Sequence, residues 1–311
     1  MDAMPSGADL LVAGLADRDQ QERLRLLAAS GPHYAPGLLA SASTRLTGVA
    51  QLSDITATIL QRGGVQPKTE IGGRALSIVP SANNSEDTAA SKLTVLTDID
   101  TKADAMHRIV VPFLTIWLAG TLLVMFLLWL VLRRSRPWNR RLTRARVLRM
   151  TRLTGLLAAA MPAATFLANL VPWWRASTNT VALVAMLLVL VLVLSGVLTL
   201  VCLQGPWSSS SLGPLAAMSA ITAGVIGIDL LTGSRLQISS IFGLQPLVGG
   251  RFYGMGNVAF ALYAAAVLLL CAAPLGRMAL IEIPLGNGKG GNAVAGEREM
   301  IGAVVVTGHW I

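Results

Sequence analysis

Charge is scarce in this chain. Asp, Glu, Lys and Arg make up 13% of its 311 residues, against 53% hydrophobic ones, whereas a soluble domain carries roughly a quarter charged. An ordinary water-soluble fold is therefore the poorer starting point. Histidine is almost missing: His33, His107 and His309 lie far apart, and no Asp/His spacing suits a metal site. Two cysteines, Cys202 and Cys271, both sit inside apolar runs, which argues against a disulfide framework or a thiolate metal centre and for small buried apolar residues. Nor does a continuous apolar core open the chain, because Asp2, Asp9, Asp17, Arg18 and Asp19 interrupt it. Without a signal peptide, export has to rely on the first membrane helix.

What the chain has instead is long apolar runs and an uneven charge. Residues 1–108 hold 10 Lys/Arg against 12 Asp/Glu, which leaves 15 against 4 for the rest, and nine of those 15 are arginines between Arg133 and Arg152. The net +9 is thus a local cluster that directly follows an uncharged apolar stretch. That pattern marks a cytoplasmic loop and argues against nucleic acid as a partner.

The apolar stretch, Ile109 to Leu132, contains sixteen Leu, Ile, Val and Phe residues. As a helix it reaches roughly 36 Å, enough for a hydrocarbon core of about 30 Å. Four further spans are expected at 153–173, 181–203, 212–231 and 257–275. The second is interrupted by Pro162, Asn169 and Pro172, and ends on Trp173 and Trp174, where an aromatic belt would lie. In the fourth, Ala216, Ala220 and Gly224 form a small-residue stripe that either admits a neighbouring helix or is alanine-rich filler. The fold class is then mainly α: a polytopic bundle of about five transmembrane helices behind a small N-terminal α/β segment. Placing the arginine cluster inside puts residues 1–108, 175–180 and 232–256 outside the cytoplasm, and leaves 276–311 as a flexible inner tail whose apolar end could begin another span.

Within the N-terminal segment, an apolar strand at 24–29 runs into the turn-rich Ser30 to Tyr34, and Asp54 stands where an N-cap would precede a helix over 55–60. The runs LRLLAASGPHYAPG, SASTRLTGVAQLSDITATILQRGGV and GGRALS resemble the C-terminal part of the alkaline phosphatase-like, sulfatase-related fold. Asp54, Ile55, Thr58 and Ile59 match that fold's helix pattern, with Ala57 in place of the usual proline. The resemblance covers about sixty residues. It implies a segment of an exported domain whose nucleophile and metal ligands lie mostly upstream of this portion, so no catalytic, metal or cofactor residue is assigned. Together with Thr232 to Gln237 and Gly250 to Gly254, it makes the chain similar to an internal piece of a group of large bacterial multi-pass membrane proteins.

The remaining chemistry lies before the last span. Arg235 and Arg251 stand on the side where positive-inside statistics do not place them. Arg251 and Tyr253 lead into Gly254, Gly256 and Asn257, the last a candidate helix cap. Glycines and a helix N-terminus suit an anion such as a lipid phosphate, and a tightly turned packing loop is the competing reading. Asp229, near the outer end of the fourth span, could pair with Arg235 or Arg251, line a polar cavity, or be a plain interfacial carboxylate. Membrane lipids are the expected partners. A transporter or flippase, and a remnant of an enzyme acting on phosphorylated envelope precursors, remain the rival functions.

Overall fold

The computed structural model describes residues 5, 7–15, 23–69, 71–80, 86–134, 140–210, 212–247 and 254–281. The chain is mainly helical, and among the described residues four helices are long and apolar enough to cross a membrane. They lie within α2 (Glu86–Arg134), α3 (Arg140–Ala168), α4 (Thr180–Gln204) and α5 (Gly213–Leu231). A further helix, α6, spans Asn257–Ile281, with a shorter apolar part over Asn257–Ala272. The tail beyond Ile281 lies outside the described residues.

The N-terminal segment has two small sheets and one helix. Strand β1 (Leu10–Ala13) pairs antiparallel with β2 (Leu27–Ser30), and β3 (Gly37–Ala40) with β4 (Ser77–Pro80). The helix between them, α1, runs over Leu52–Arg62, longer at both ends than the six residues expected. Its cap is Gln51. Asp54 occupies the third helical position, where its carboxylate reaches back to the Gln51 N–H at 2.8 Å in a capping box. The expectation that Asp54 is itself the N-cap is corrected by those three residues.

Helix α2 is 49 residues long, roughly 73 Å at 1.5 Å per residue, and it begins well before the apolar run. Its first half is a polar arm and its second half the expected span. Against the arm rests the N-terminal segment: Gly48, at φ +85°, comes so close that a Cβ there would lie 2.8 Å from Leu96 and 3.7 Å from Ile99. On the other side of the arginine cluster, the helix has already resumed at Arg140, so most of the cluster is helical and not a loop. The second span ends at Ala168, and Trp173–Arg175 forms a separate 3-10 turn.

Helix α3 is central and packs against α2, α4 and α5. Small residues make this possible: Ala160, Ala163, Ala164 and Ala168 are fully buried, which lets backbones approach where lipid removes the hydrophobic drive for association. Its Phe166 meets Ile226 of α5 and Ala259 of α6 in one cluster. The stripe expected on α5 takes no such part. Ala220 is exposed and a Cβ on Gly224 would meet nothing within 4 Å, while the buried face carries Met218, Thr222, Ile226 and Asp229.

Gly73 lies so close to the start of α1 that a side chain there would run into the Ser53 carbonyl. Gly73→Ala should destabilise the N-terminal segment by about 1–3 kcal/mol, the usual cost of overpacking. Limited proteolysis of the whole chain in detergent would show faster cutting within 41–80 and an unchanged pattern in α4.

Candidate functional site

Two polar centres stand out, and the first is built on Asp54. Its side chain is fully buried and accepts hydrogen bonds from the Ser43 hydroxyl at 2.6 Å, the Gln51 N–H at 2.8 Å and the Arg74 N–H at 2.9 Å. One turn on, the Thr58 hydroxyl donates to the Asp54 carbonyl and accepts from the Leu76 N–H at 2.9 Å. Asp54 and Thr58 thus hold the 41–51 loop and the Gly73–Leu76 element on α1. Burial of the carboxyl acts first and would raise its pKa, but the Ser43, Gln51 and Arg74 donors outweigh it and hold it below the ordinary value. With every oxygen engaged from within, this centre is a fastening. His33 lies elsewhere, paired with Asp9 at 3.0 Å on the surface.

The second centre joins three helices at the end of the bundle that carries Trp173 and Trp174. Asp229, in the last turn of α5, is buried. Its carboxylate accepts from the Leu236 N–H at 2.8 Å and the Gln237 N–H at 3.1 Å, and its carbonyl accepts from the Ser234 N–H at 2.7 Å. It pairs with no arginine among the described residues: Arg235 is exposed and makes no salt bridge there. A buried carboxylate at a helix end is served by adjacent N–H groups, since these solvate its charge without ordering a long side chain.

The loop that Asp229 organises, 232–247, is held from two other helices. Asn169 at the end of α3 donates its amide toward the carbonyls of Leu236 at 2.8 Å, Ser239 at 3.2 Å and Ile238 at 3.4 Å. Lys102 from the polar arm of α2 donates to the Ile238 carbonyl at 3.0 Å and lies 4.8 Å from the centre of the Trp174 ring, a cation–π distance. Beside it, Asp98 accepts from the Trp174 indole at 2.8 Å and the Arg175 guanidinium at 2.5 Å. Trp173 and Trp174 meet edge to face and are buried, so they pack inside the bundle end and do not form a lipid-facing belt.

Inside the loop the Leu244 N–H donates to the Gln237 carbonyl and the Ser239 N–H to the Leu244 carbonyl, both at 2.8 Å. Gly243 is obligatory, because any Cβ would strike the Gln237 carbonyl. Two side chains are left over. Gln237 and Ser240 are 0% exposed, and neither the Gln237 amide atoms nor the Ser240 hydroxyl has a hydrogen-bond partner among the described residues. A buried polar group in that condition costs about 1–3 kcal/mol.

Of the residues expected to bind an anion, Arg251 and Tyr253 lie outside the described residues. Gly254 has φ +77°, a conformation that favours glycine. Gly256 is buried beside Leu244, and its carbonyl accepts the Phe260 N–H at 2.8 Å. That bond makes Gly256 the cap and puts Asn257 inside the first turn, which corrects the capping role given to Asn257. Cys202 is buried as expected, but Cys271 is exposed on α6. Among the described residues no three His, Cys, Asp or Glu side chains converge on a metal-sized site. Lys102 and Ser240 carried no distinguishing pattern in the sequence, and Gln237 stood out only as the end of the Thr232 to Gln237 run. Asn169 did carry one, as an amide within an apolar run. No family model, curated protein or solved structure matches the chain.

Because the Asp54 carboxyl is depressed, it contributes stability above the unfolded pKa, about 3.9. That contribution is lost as pH falls through the lower folded value. Resistance of residues 41–76 to an acid-active protease should therefore hold at pH 5 and fail below about pH 4. Asp54→Asn should already be cut faster at pH 5.

Proposed function

We propose that this chain is a multi-pass integral membrane protein of five helices that binds an anionic headgroup at its extracytoplasmic face. The observation that carries the reading is the use made of Asp229. Both its oxygens are consumed by its own loop, so Arg235 projects from a fixed platform as a cation that Asp229 does not compensate. A guanidinium in that setting favours a phosphate by charge-assisted, bidentate hydrogen bonding. Arg251 follows along the same connection.

The orientation rests on the arginines. Arg133, Arg134 and the first turns of α3 lie at one end of α2 and α3, while Trp173, Trp174 and loop 232–247 lie at the other. A cytoplasmic arginine cluster then favours an outer position for the loop. The resemblance of the N-terminal segment to the end of an alkaline phosphatase-like fold fits the same orientation, and it draws support from the way the matching residues Asp54 and Thr58 fasten Arg74 and Leu76. A transporter reading gains little from Asp229, whose carboxylate is sealed against its own loop.

Affinity for a labelled phosphatidylglycerol over phosphatidylcholine, measured on the detergent-purified chain, should fall about tenfold in Arg235→Ala, the cost of one charge-assisted contact. Equal affinity in the variant and the parent would overturn the headgroup reading. For orientation, a cysteine at the exposed Thr178 should react with an impermeant maleimide in intact cells, and one at the exposed Ser208 only after permeabilisation. The reverse pattern would invert the topology.

A further inference from the structure

We infer that loop 232–247 is a strap closed over a donor site for an anionic phosphate-type group, formed by Lys102, Asn169 and the edge of Trp174, and that the loop's own carbonyls occupy that site in the closed state. The inference rests on the headgroup reading and gives it a second, inner site.

Three observations converge on it. Lys102 and Asn169 are donors, and the hydrogen bonds they donate to the loop all end on main-chain carbonyls, those of Leu236, Ile238 and Ser239, while the Asp98 and Asp229 carboxylates act on the Lys102 charge without a hydrogen bond to it. A hydrogen bond from an ammonium to a neutral carbonyl is weaker than one to an anion, so the contact that Lys102 makes with the loop is one that a phosphate could replace. Next, the strap is closed at a cost to itself. Gln237 and Ser240 are sealed with no partner among the described residues, and water would satisfy both on opening. Finally, two non-glycine residues of the strap, Ser234 at φ +60° and Ser239 at φ +50°, hold the left-handed conformation that such residues avoid. Closure is held by the Lys102, Asn169 and Asp229 contacts and opposed by buried polarity and backbone strain, which is the balance of an element that an anion competing for the same donors could tip.

Placement supports this. Lys102 lies one turn after Asp98, which ties Trp174 and Arg175 to the same arm. An incoming anion at Lys102 would therefore find the tryptophan edge and the polar rim already fixed, so that only the strap need move.

Hydrogen exchange of the 232–247 segment tests the inference on the full chain in nanodiscs. Three conditions are compared: phosphatidylcholine alone, phosphatidylcholine with inorganic phosphate, and phosphatidylglycerol. Exchange should be slow in the first and about tenfold faster where the anion is delivered. Acceleration by phosphate in both sources marks a general phosphate site, and acceleration by phosphatidylglycerol alone marks a lipid one. Lys102→Met should exchange about tenfold faster in all three conditions and lose the anion effect, with α4 protection unchanged as the sign of an intact bundle. Equal, slow exchange under all conditions in the parent would overturn the strap even if Arg235 still binds lipid. Fast exchange in Lys102→Met with no anion response in the parent would leave the latch and overturn the phosphate site.

Discussion

Backbone groups that leave a helix at a bundle end must find partners at once, and the fold of this chain depends on how α5 does so. Asp229 sits where α5 stops, and its carboxylate takes the N–H groups of Leu236 and Gln237. That single residue turns the chain back over the bundle. The freed carbonyls on the other side of the loop then face Asn169 and Lys102, so α2, α3 and α5 are joined through one short segment. Without the carboxylate, buried N–H groups would go unmet, and in a dry setting each costs more than the hydrogen bond it would have made.

The same logic governs the N-terminal segment on a smaller scale. Asp54 gathers a hydroxyl and two main-chain N–H groups from three separate stretches, and Thr58 adds a fourth tie. Four-residue strands in two-stranded sheets are marginal alone. Buried polar hubs and the packing of Gly48 on Leu96 and Ile99 replace the apolar core that so short a segment lacks.

Four of the five expected spans, those within α2, α3, α4 and α5, were legible in the residues because spanning imposes a length and a composition. Helix ends were less so. Glu86–Arg108 reads as polar, yet it continues α2, because hydropathy reports the solvent around a helix and not its existence. Trp173 and Trp174 conform to a belt pattern but are buried, since Asp98 and Asn169 offer their indoles partners inside the bundle. Asp229 was recognisable as a polar residue worth noting. Its partner was not, because the choice between Arg235 and two N–H groups is settled by a turn with serines at positive φ, Ser234 and Ser239, which no periodicity announces. Asn169 and Lys102 meet the loop across 67 and 136 positions of sequence, and such juxtapositions leave no local trace.

The energetics of α2 divide between its two halves. The most apolar stretch of that helix is 0% buried, with Ile116, Leu122, Phe126 and Trp129 facing outward. In lipid such exposure costs nothing, and packing it would gain little, because lipid tails are as apolar as leucine. Helix α2 is therefore positioned by its polar arm and the start of its span: Ala105, Met106, Ile109 and Phe113 pack toward α3 and α4, Arg108 donates to the Thr178 carbonyl and the Thr180 hydroxyl, and Asp98 and Lys102 reach the tryptophan turn and the loop. An element anchored along its arm and at the start of its span, and exposed beyond, can tilt in the bilayer while keeping one end in register. That end then brings the N-terminal segment and loop 232–247 onto one helix, the first through the close approach of Gly48 to Leu96 and Ile99 and the second through Lys102.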